Sequence, residues 1–465
     1  MSRTLIRSAE VGGRRVDVAL EGERVVRMAD RLERSAGERL VHANGGALIP
    51  GLHDHHIHLL ALAAARDSVR VGPPEVTDRV GLFDALASAR GQRHDGWIRA
   101  IGYHESVAGE LDRWVLDEVG SQQPIRVQHR SGAMWVLNSA ALDRLGTAVD
   151  GVAGVERDPS GLPTGRLWRL DAWLREHLPH APPDLGAVST ELLGYGVTGL
   201  TDATPTRDRG AIEHLASAAA SGRLSQRLLV TGGPALAPVD LPGIEWGPVK
   251  VLLPDHQPPD FVRMIDEVAA ARRQGRTVAV HSVTAASAAV AVAAIEEVGP
   301  VEGDRIEHGA VLPLGLAARL VELGVTVVTN PGFVAERGDE YLAEVDPREV
   351  EDLWRCGSLI SAGVAVGAGT DAPFGDPNPW RSIAAAWRRR TRAGRSLGLA
   401  ETISPGRALD LFLGHPARPG GPPRRVSVGH RGGLCLLPAT LEECLAEPES
   451  VVPVATMVDG EWIHW

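Results

Sequence analysis

Along residues 1–50, apolar and polar positions alternate in short runs: Thr4-Leu5-Ile6, Val16-Asp17-Val18-Ala19-Leu20 and Arg24-Val25-Val26-Arg27-Met28. Gly12-Gly13 and Glu21-Gly22 punctuate them. A period of two marks half-buried strands and glycine marks turns, so this end predicts a small antiparallel sheet. The C-terminal stretch reads alike, with Gly433-Leu434-Cys435-Leu436-Leu437, then Val454-Ala455-Thr456-Met457-Val458 before Asp459-Gly460. Sheet-forming ends around a long middle predict one composite β-sandwich domain built from residues 1–50 and 421–465.

The middle, residues 51–420, has a different pattern. Apolar strand-like runs alternate with Ala-rich helical runs. The strands are predicted at 197–202, 227–232, 248–253, 277–283, 305–309, 325–330 and 364–370, with helices such as 285–297 and 314–323 between most of them. A histidine-rich strand after Pro50-Gly51 comes first and brings the number to eight, which closes a (β/α)8 TIM barrel. Between that strand and the second lies an irregular stretch, about 60–185, rich in Trp, Gly and Pro. It contains a strand-like 97–103 and a turn-rich 158–165, and reads as a large insertion. The predicted class is therefore α/β.

Composition narrows the function. Charged residues at 23% and hydrophobic residues at 44% describe a globular protein, and a net charge of −11 argues against a nucleic-acid partner. The N-terminus has no signal-like apolar run, and no stretch reaches the ~20 apolar residues of a membrane span. Three scattered cysteines, Cys356, Cys435 and Cys444, suggest neither a disulfide framework nor a thiolate site. A cytoplasmic enzyme with a small-molecule substrate is expected. Among 48 Lys+Arg residues only one is lysine, Lys250. Arginine is a fixed cation and cannot act as a neutral amine, so the position that kept lysine hints at amine chemistry.

The polar residues at the predicted strand ends agree with one another. His53-Asp54-His55-His56-Ile57-His58 packs four histidines and an aspartate into six positions. Strand alternation pairs His56 with His58 on one face, or His53 with His55 on the other. Two close imidazoles make half of a transition-metal site. The fourth predicted strand carries Lys250, the fifth ends in His281, the sixth in His308 and the eighth in Asp371. Any one of these histidines is more often a hydrogen-bonded core residue. Their convergence on one barrel mouth is what points to a metal.

The residues 50-PGLHDHHIH-58, Val249-Lys250-Val251, His281, Arg305-Ile306-Glu307-His308 and Gly369-Thr370-Asp371-Ala372-Pro373 resemble the amidohydrolase superfamily over nearly the whole chain. The nearest branch is that of N-substituted formamide deformylase. Trp135–Leu142 and Pro163-Thr164-Gly165 carry the likeness into the insertion. The resemblance selects His56 and His58 as ligands, with Asp54 in a supporting role. It implies two divalent metal ions, one on His56, His58 and Asp371 and the other on His281 and His308. Carboxylated Lys250 would bridge them as a carbamate, with Asp371 as the catalytic proton carrier and metal-bound hydroxide as the attacking group. Zinc suits such ligands best, and Mn, Fe, Co or Ni are admitted. The activity implied is hydrolysis of a C–N bond other than a peptide bond, in an amide, formamide or cyclic amide. The alternatives are a mononuclear deaminase, deacetylase or lactonase, or a non-catalytic binding protein. Candidate substrate contacts are His104, Glu105, His129, Arg130 and Trp135 in the insertion, with Asn330 and Phe333 after the seventh strand; a homodimer is compatible with the family. The chain departs from the branch at Val283-Thr284, Ser131-Gly132-Ala133 and Gly432-Gly433-Leu434.

Overall fold

The computed structural model describes residues 3–89, 96–120, 122–178, 182–205, 208–253 and 258–464. It divides into two compact units, one of Met1–Leu59 with Leu185–Trp465 and one of Leu60–Asp184.

In the first unit, strands Arg3–Val11, Arg14–Glu21 and Arg24–Ala29 pair antiparallel, and Arg39–His42 joins the first in parallel. A second antiparallel sheet combines Leu48–Pro50 with Leu434–Leu436, Ala455–Val458 and Glu461–His464. Ile6, Val18, Leu20 and Val25 share one buried cluster with Leu434, Leu436, Ala455 and Met457. Each such Val, Leu, Ile or Met side chain contributes roughly 1.5–3 kcal/mol on burial.

The rest of this unit is built on parallel strands: β1 (Leu52–Ile57), β2 (Val197–Asp202), β3 (Arg227–Val230), β4 (Val249–Val251), β5 (Val278–Ser282), β6 (Arg305–His308), β7 (Thr326–Thr329) and β8 (Val366–Ala368). One sheet runs Ile244–Trp246, β3, β2, β1 and the other β4 to β8 in order. Backbone bonds link the two sheets on both flanks. Lys250 N donates to Gly232 O (2.8 Å) between β3 and β4, and Asp371 N donates to His56 O (2.7 Å) between β8 and β1. This is an α/β fold of TIM-barrel type. Strands such as β2, β4 and β7 are buried along their whole length, as parallel strands covered on both faces are. β1 and β6 are buried throughout although four of six and three of four of their residues are polar.

Helices follow the strands as expected. The run predicted at 285–297 forms Ala285–Val298, started by a capping box between Thr284 and Ser287 and burying Ala288, Ala291, Val292 and Ile295 on one stripe. The run predicted at 314–323 opens instead as a 3₁₀ turn, Leu314–Leu316, before the helix Ala317–Leu323. Gly315 in that first turn is a weak helix former.

The second unit is more regular than its sequence suggests. It holds a six-stranded sheet in the order Val155–Arg157, Pro163–Trp168, Met134–Leu137, Ile125–His129, Ile98–Tyr103, Val69–Arg70. These strands run two to six residues, too short to show a period. The turn-rich 158–165 supplies one tight connection, where Asp158 Oδ1 accepts from Ser160 N (2.8 Å) and Leu162 N (3.0 Å).

Candidate metal centre

β1 shows both of its possible histidine pairs. On one face the rings of His53 and His55 lie 4.6 Å apart. His53 Nε2 bonds Thr201 Oγ1 at 2.9 Å, and a Cβ on Gly199 would come within 2.4 Å of His53 Nδ1. Burial, aided by nearby Arg305 and Arg424, holds both imidazoles well below their usual pKa and hence neutral. On the other face Asp54 accepts from His56 N (3.0 Å), Thr370 N (3.0 Å) and Thr370 Oγ1 (2.5 Å). Burial raises its carboxyl to about 7 against those bonds. Asp54 therefore ties β1 to the chain leaving β8, where Asp371 sits.

His56 and His58 share the Asp54 face, with ring centroids 5.4 Å apart. The His308 ring lies tilted 4.6 Å from that of His56, and His281 lies 4.6 Å from His308. Asp371 Oδ1 is 3.1 Å from His58 Nε2 and 3.6 Å from His56 Nε2, while Oδ2 is 3.8 Å from His308 Nδ1. The 3.1 Å approach is close in distance but not aligned as a hydrogen bond, so Oδ1 keeps no such partner. Ligand atoms of His56, His308 and Asp371 all fall within 4.8 Å of one another.

Partners behind the rings aim them. His56 Nδ1 meets the Glu307 carboxylate, His58 Nδ1 meets Thr204 Oγ1 (3.0 Å), and His308 Nδ1 meets Asn330 Oδ1 (2.8 Å). Asn330 is oriented in turn, because its Nδ2 donates to Gly369 O (2.9 Å). The carboxylate and the amide oxygen accept, so His56 and His308 donate from Nδ1 and present the Nε2 lone pair, the form in which imidazole binds metal. Burial lowers the pKa of His56 and His308 well below the usual value, which keeps them neutral. For Asp371, burial would raise the pKa, but His58, His308 and His56 outweigh it and hold the carboxyl below its ordinary range. His308 (φ 70°) and Asp371 (φ 57°) both adopt left-handed backbone, a strain of order 1–3 kcal/mol each that collects at functional sites.

Lys250 is 2% exposed, and its Nζ has no hydrogen-bond partner among the described residues. Burial lowers its pKa to about 8, with Glu307 and Asp371 pulling the other way. Both its amine and the unpaired His56 Nε2 and Asp371 Oδ1 lack the partners that a bound cation and its bridging anion would supply, so the residues present fit a metal centre.

The family model for amidohydrolases matches residues 39–464. The chain belongs to the amidohydrolase family. It is 25% identical to N-substituted formamide deformylase of Arthrobacter pascens, covering 90% of this chain and 89% of that protein. It is 23% identical to the putative amidohydrolase YtcJ of Bacillus subtilis (strain 168), covering 80% and 79% respectively. A solved structure of an uncharacterized metal-dependent hydrolase from Pyrococcus furiosus superimposes with a TM-score of 0.70 at 20% identity, covering 91% of this chain and 96% of that one. That likeness speaks for the fold.

In this amidohydrolase the six expected ligands fall into one neighbourhood, and the candidate substrate contacts of the insertion are bonded within the insertion. His104 caps the helix Glu105–Ala108 through Ser106 N (3.2 Å). His129 Nε2 bonds Glu105 Oε2 (3.1 Å), and His104 Nε2 lies 3.6 Å from the same oxygen. Arg130 N donates to Tyr103 O (2.8 Å). Trp135 is buried in the second unit with its indole N–H on Asp171 (2.8 Å). Phe333 is buried against Trp354. At two of the departures from the branch, Thr284 caps its helix and Ser131 Oγ bonds His129 Nδ1 (2.7 Å). Sequence reasoning assigned no part to Glu307 or Thr204. Glu307 lay inside the quoted Arg305–His308 motif, and a buried acid beside a ligand was the available signal.

Proposed function

We propose that this amidohydrolase hydrolyses a C–N bond other than a peptide bond, in an amide, formamide or cyclic amide, with divalent metal at the ends of its parallel strands. The observation that carries this reading is the set of three imidazoles, each engaged at Nδ1 by a separate partner and grouped around Asp371. Similarity to an N-substituted formamide deformylase supports the bond type. His56, His58 and Asp371 would hold one metal and His281 and His308 a second, bridged by Lys250 as a carbamate. An amine with a pKa near 8 is partly neutral at working pH, the form that adds CO2. Zinc is the metal that suits this set best.

When bound, the metals supply Lewis acidity toward a carbonyl oxygen and lower the pKa of a water from about 15.7 toward about 7. The chain's own part is proton handling. Asp371, ionised and adjacent to His58, takes a proton as the water oxygen bonds the carbonyl carbon. It returns that proton to nitrogen as the C–N bond breaks. The scaffold in this reading is a closed (β/α)8 barrel over 51–420, with a composite β-sandwich from 1–50 and 421–465 and an insertion over about 60–185. Three buried free cysteines support a reducing, cytoplasmic setting. Among the described residues no helix is long and apolar enough to cross a membrane.

A mononuclear site, as in a deaminase or deacetylase, is the second reading. It is favoured by the grouping of His56, His308 and Asp371, which draws on both expected ligand sets. Elemental analysis of the purified protein separates the two. About two metal atoms per chain, with hydrolysis of an amide or formamide panel, supports the binuclear reading, and about one moves it to the second. Negligible metal after zinc and bicarbonate are supplied would end both.

A further inference from the structure

We propose that Glu307, held by Arg305, is a positioning residue that sets the tautomer and aim of His56; the inference rests on the metal reading above. Glu307 and Arg305 stand two residues apart on β6, 0% and 1% exposed. One carboxylate oxygen contacts His56 Nδ1 on β1, 251 positions away in sequence, and the other lies 2.6 Å from Arg305 Nε. An ionised carboxylate only accepts, so the proton of His56 must sit on Nδ1 and the lone pair on Nε2. That nitrogen is buried, without a hydrogen bond, and 3.6 Å from Asp371 Oδ1.

The partner of His56 differs in kind from those of its neighbours. His58 and His308 are held by a neutral hydroxyl and a neutral amide. A buried ion pair is a weak source of stability, since desolvation costs offset the attraction. An anion behind the ring, however, raises the ligand strength of the opposite nitrogen. Arg305 makes that anion tolerable in a buried site, and the pair strengthens one ligand above the others. Glu307 acts through His56 and bonds neither metal nor substrate.

The test is zinc affinity by chelator competition in wild type and in Glu307→Gln, with the visible spectrum of the cobalt-loaded proteins and melting of the metal-free ones. The amide can donate to Nδ1 as well as accept, so it no longer enforces the tautomer. We expect a tenfold to hundredfold weaker zinc site, as for other carboxylates behind a ligating histidine, and an altered cobalt spectrum. Wild-type affinity in a folded Glu307→Gln protein would overturn the proposal. A second measurement needs no change at Glu307: metal-free wild type should show a downfield imidazole N–H resonance that is missing from His56→Gln. A His56 ring protonated on Nε2 would overturn the proposal even if Glu307→Gln fails to fold. Wild type that binds no zinc would instead bring down the metal reading, and with it this one.

Discussion

At Gly369 the chain leaving β8 toward Asp371 passes close against His56, and a single methyl group tests that closeness. A Cβ there would lie 2.5 Å from both N and Cβ of His56 and 2.8 Å from its Cα. These are largely backbone atoms of a fully buried strand, so no flexible side chain can swing away. Reaching ordinary contact at 3.4 Å needs a separation of about 0.9 Å, imposed next to the Asp371 N to His56 O bond (2.7 Å) and the Asn330 Nδ2 to Gly369 O bond (2.9 Å). Overpacking of this kind costs about 1–3 kcal/mol. Gly→Ala returns about 0.4–1 kcal/mol through the unfolded chain, which leaves a net loss of about 1–2 kcal/mol. For a unit of this size, where the midpoint moves by roughly 1–1.5 °C per kcal/mol, the melting midpoint of Gly369→Ala should fall by about 1–3 °C. The larger effect is on the site. A shift near 1 Å between His56 and Asp371 should cost on the order of a hundredfold in turnover, with a weaker zinc site by chelator competition. A Gly369→Ala protein with wild-type midpoint, metal content and rate would refute the account of how β8 meets β1.

Three further outcomes follow from the same geometry. Asp371→Asn should retain most of its metal, read by elemental analysis, and lose turnover by about 10²–10⁴-fold; a near-wild-type rate removes Asp371 as proton carrier. Lys250→Arg keeps a cation but cannot form a carbamate, so metal per chain should drop and bicarbonate should no longer raise it; unchanged stoichiometry would deny the bridge. In metal-free protein, Lys250 titrates near 8 when folded against 10.5 for an ordinary lysine, so between those values the unfolded chain holds more protons and stability rises with pH. The gain across that window is about 3 kcal/mol, it is absent below about 8, and Lys250→Met should lose it in paired denaturation curves.

What was legible in the sequence follows from short-range rules. Apolar runs alternating with Ala-rich helical runs located the parallel strands and the helix predicted at 285–297, because burial acts on each element locally. The lone lysine and the strand-end histidines and aspartate stood out because chemistry restricts which residue types can serve. Of the insertion's sheet only the strand-like 97–103 was read, because its other strands are irregularly joined and lack the regular alternation with helices that marks the parallel strands. Alternation offered His53 with His55 as readily as His56 with His58, and the structure contains both pairs.

The sequence by itself determined the inventory of candidate ligands, the parallel α/β pattern and the sheet-forming ends, since each depends on residue type and local spacing. Tertiary structure alone decided which partner stands behind each ring. Glu307 reaches His56 across 251 positions, Thr204 reaches His58 across 146 and Asn330 reaches His308 across 22. Such pairings depend on strand register and on close approach at Gly369, and these are set by the packing of the whole chain.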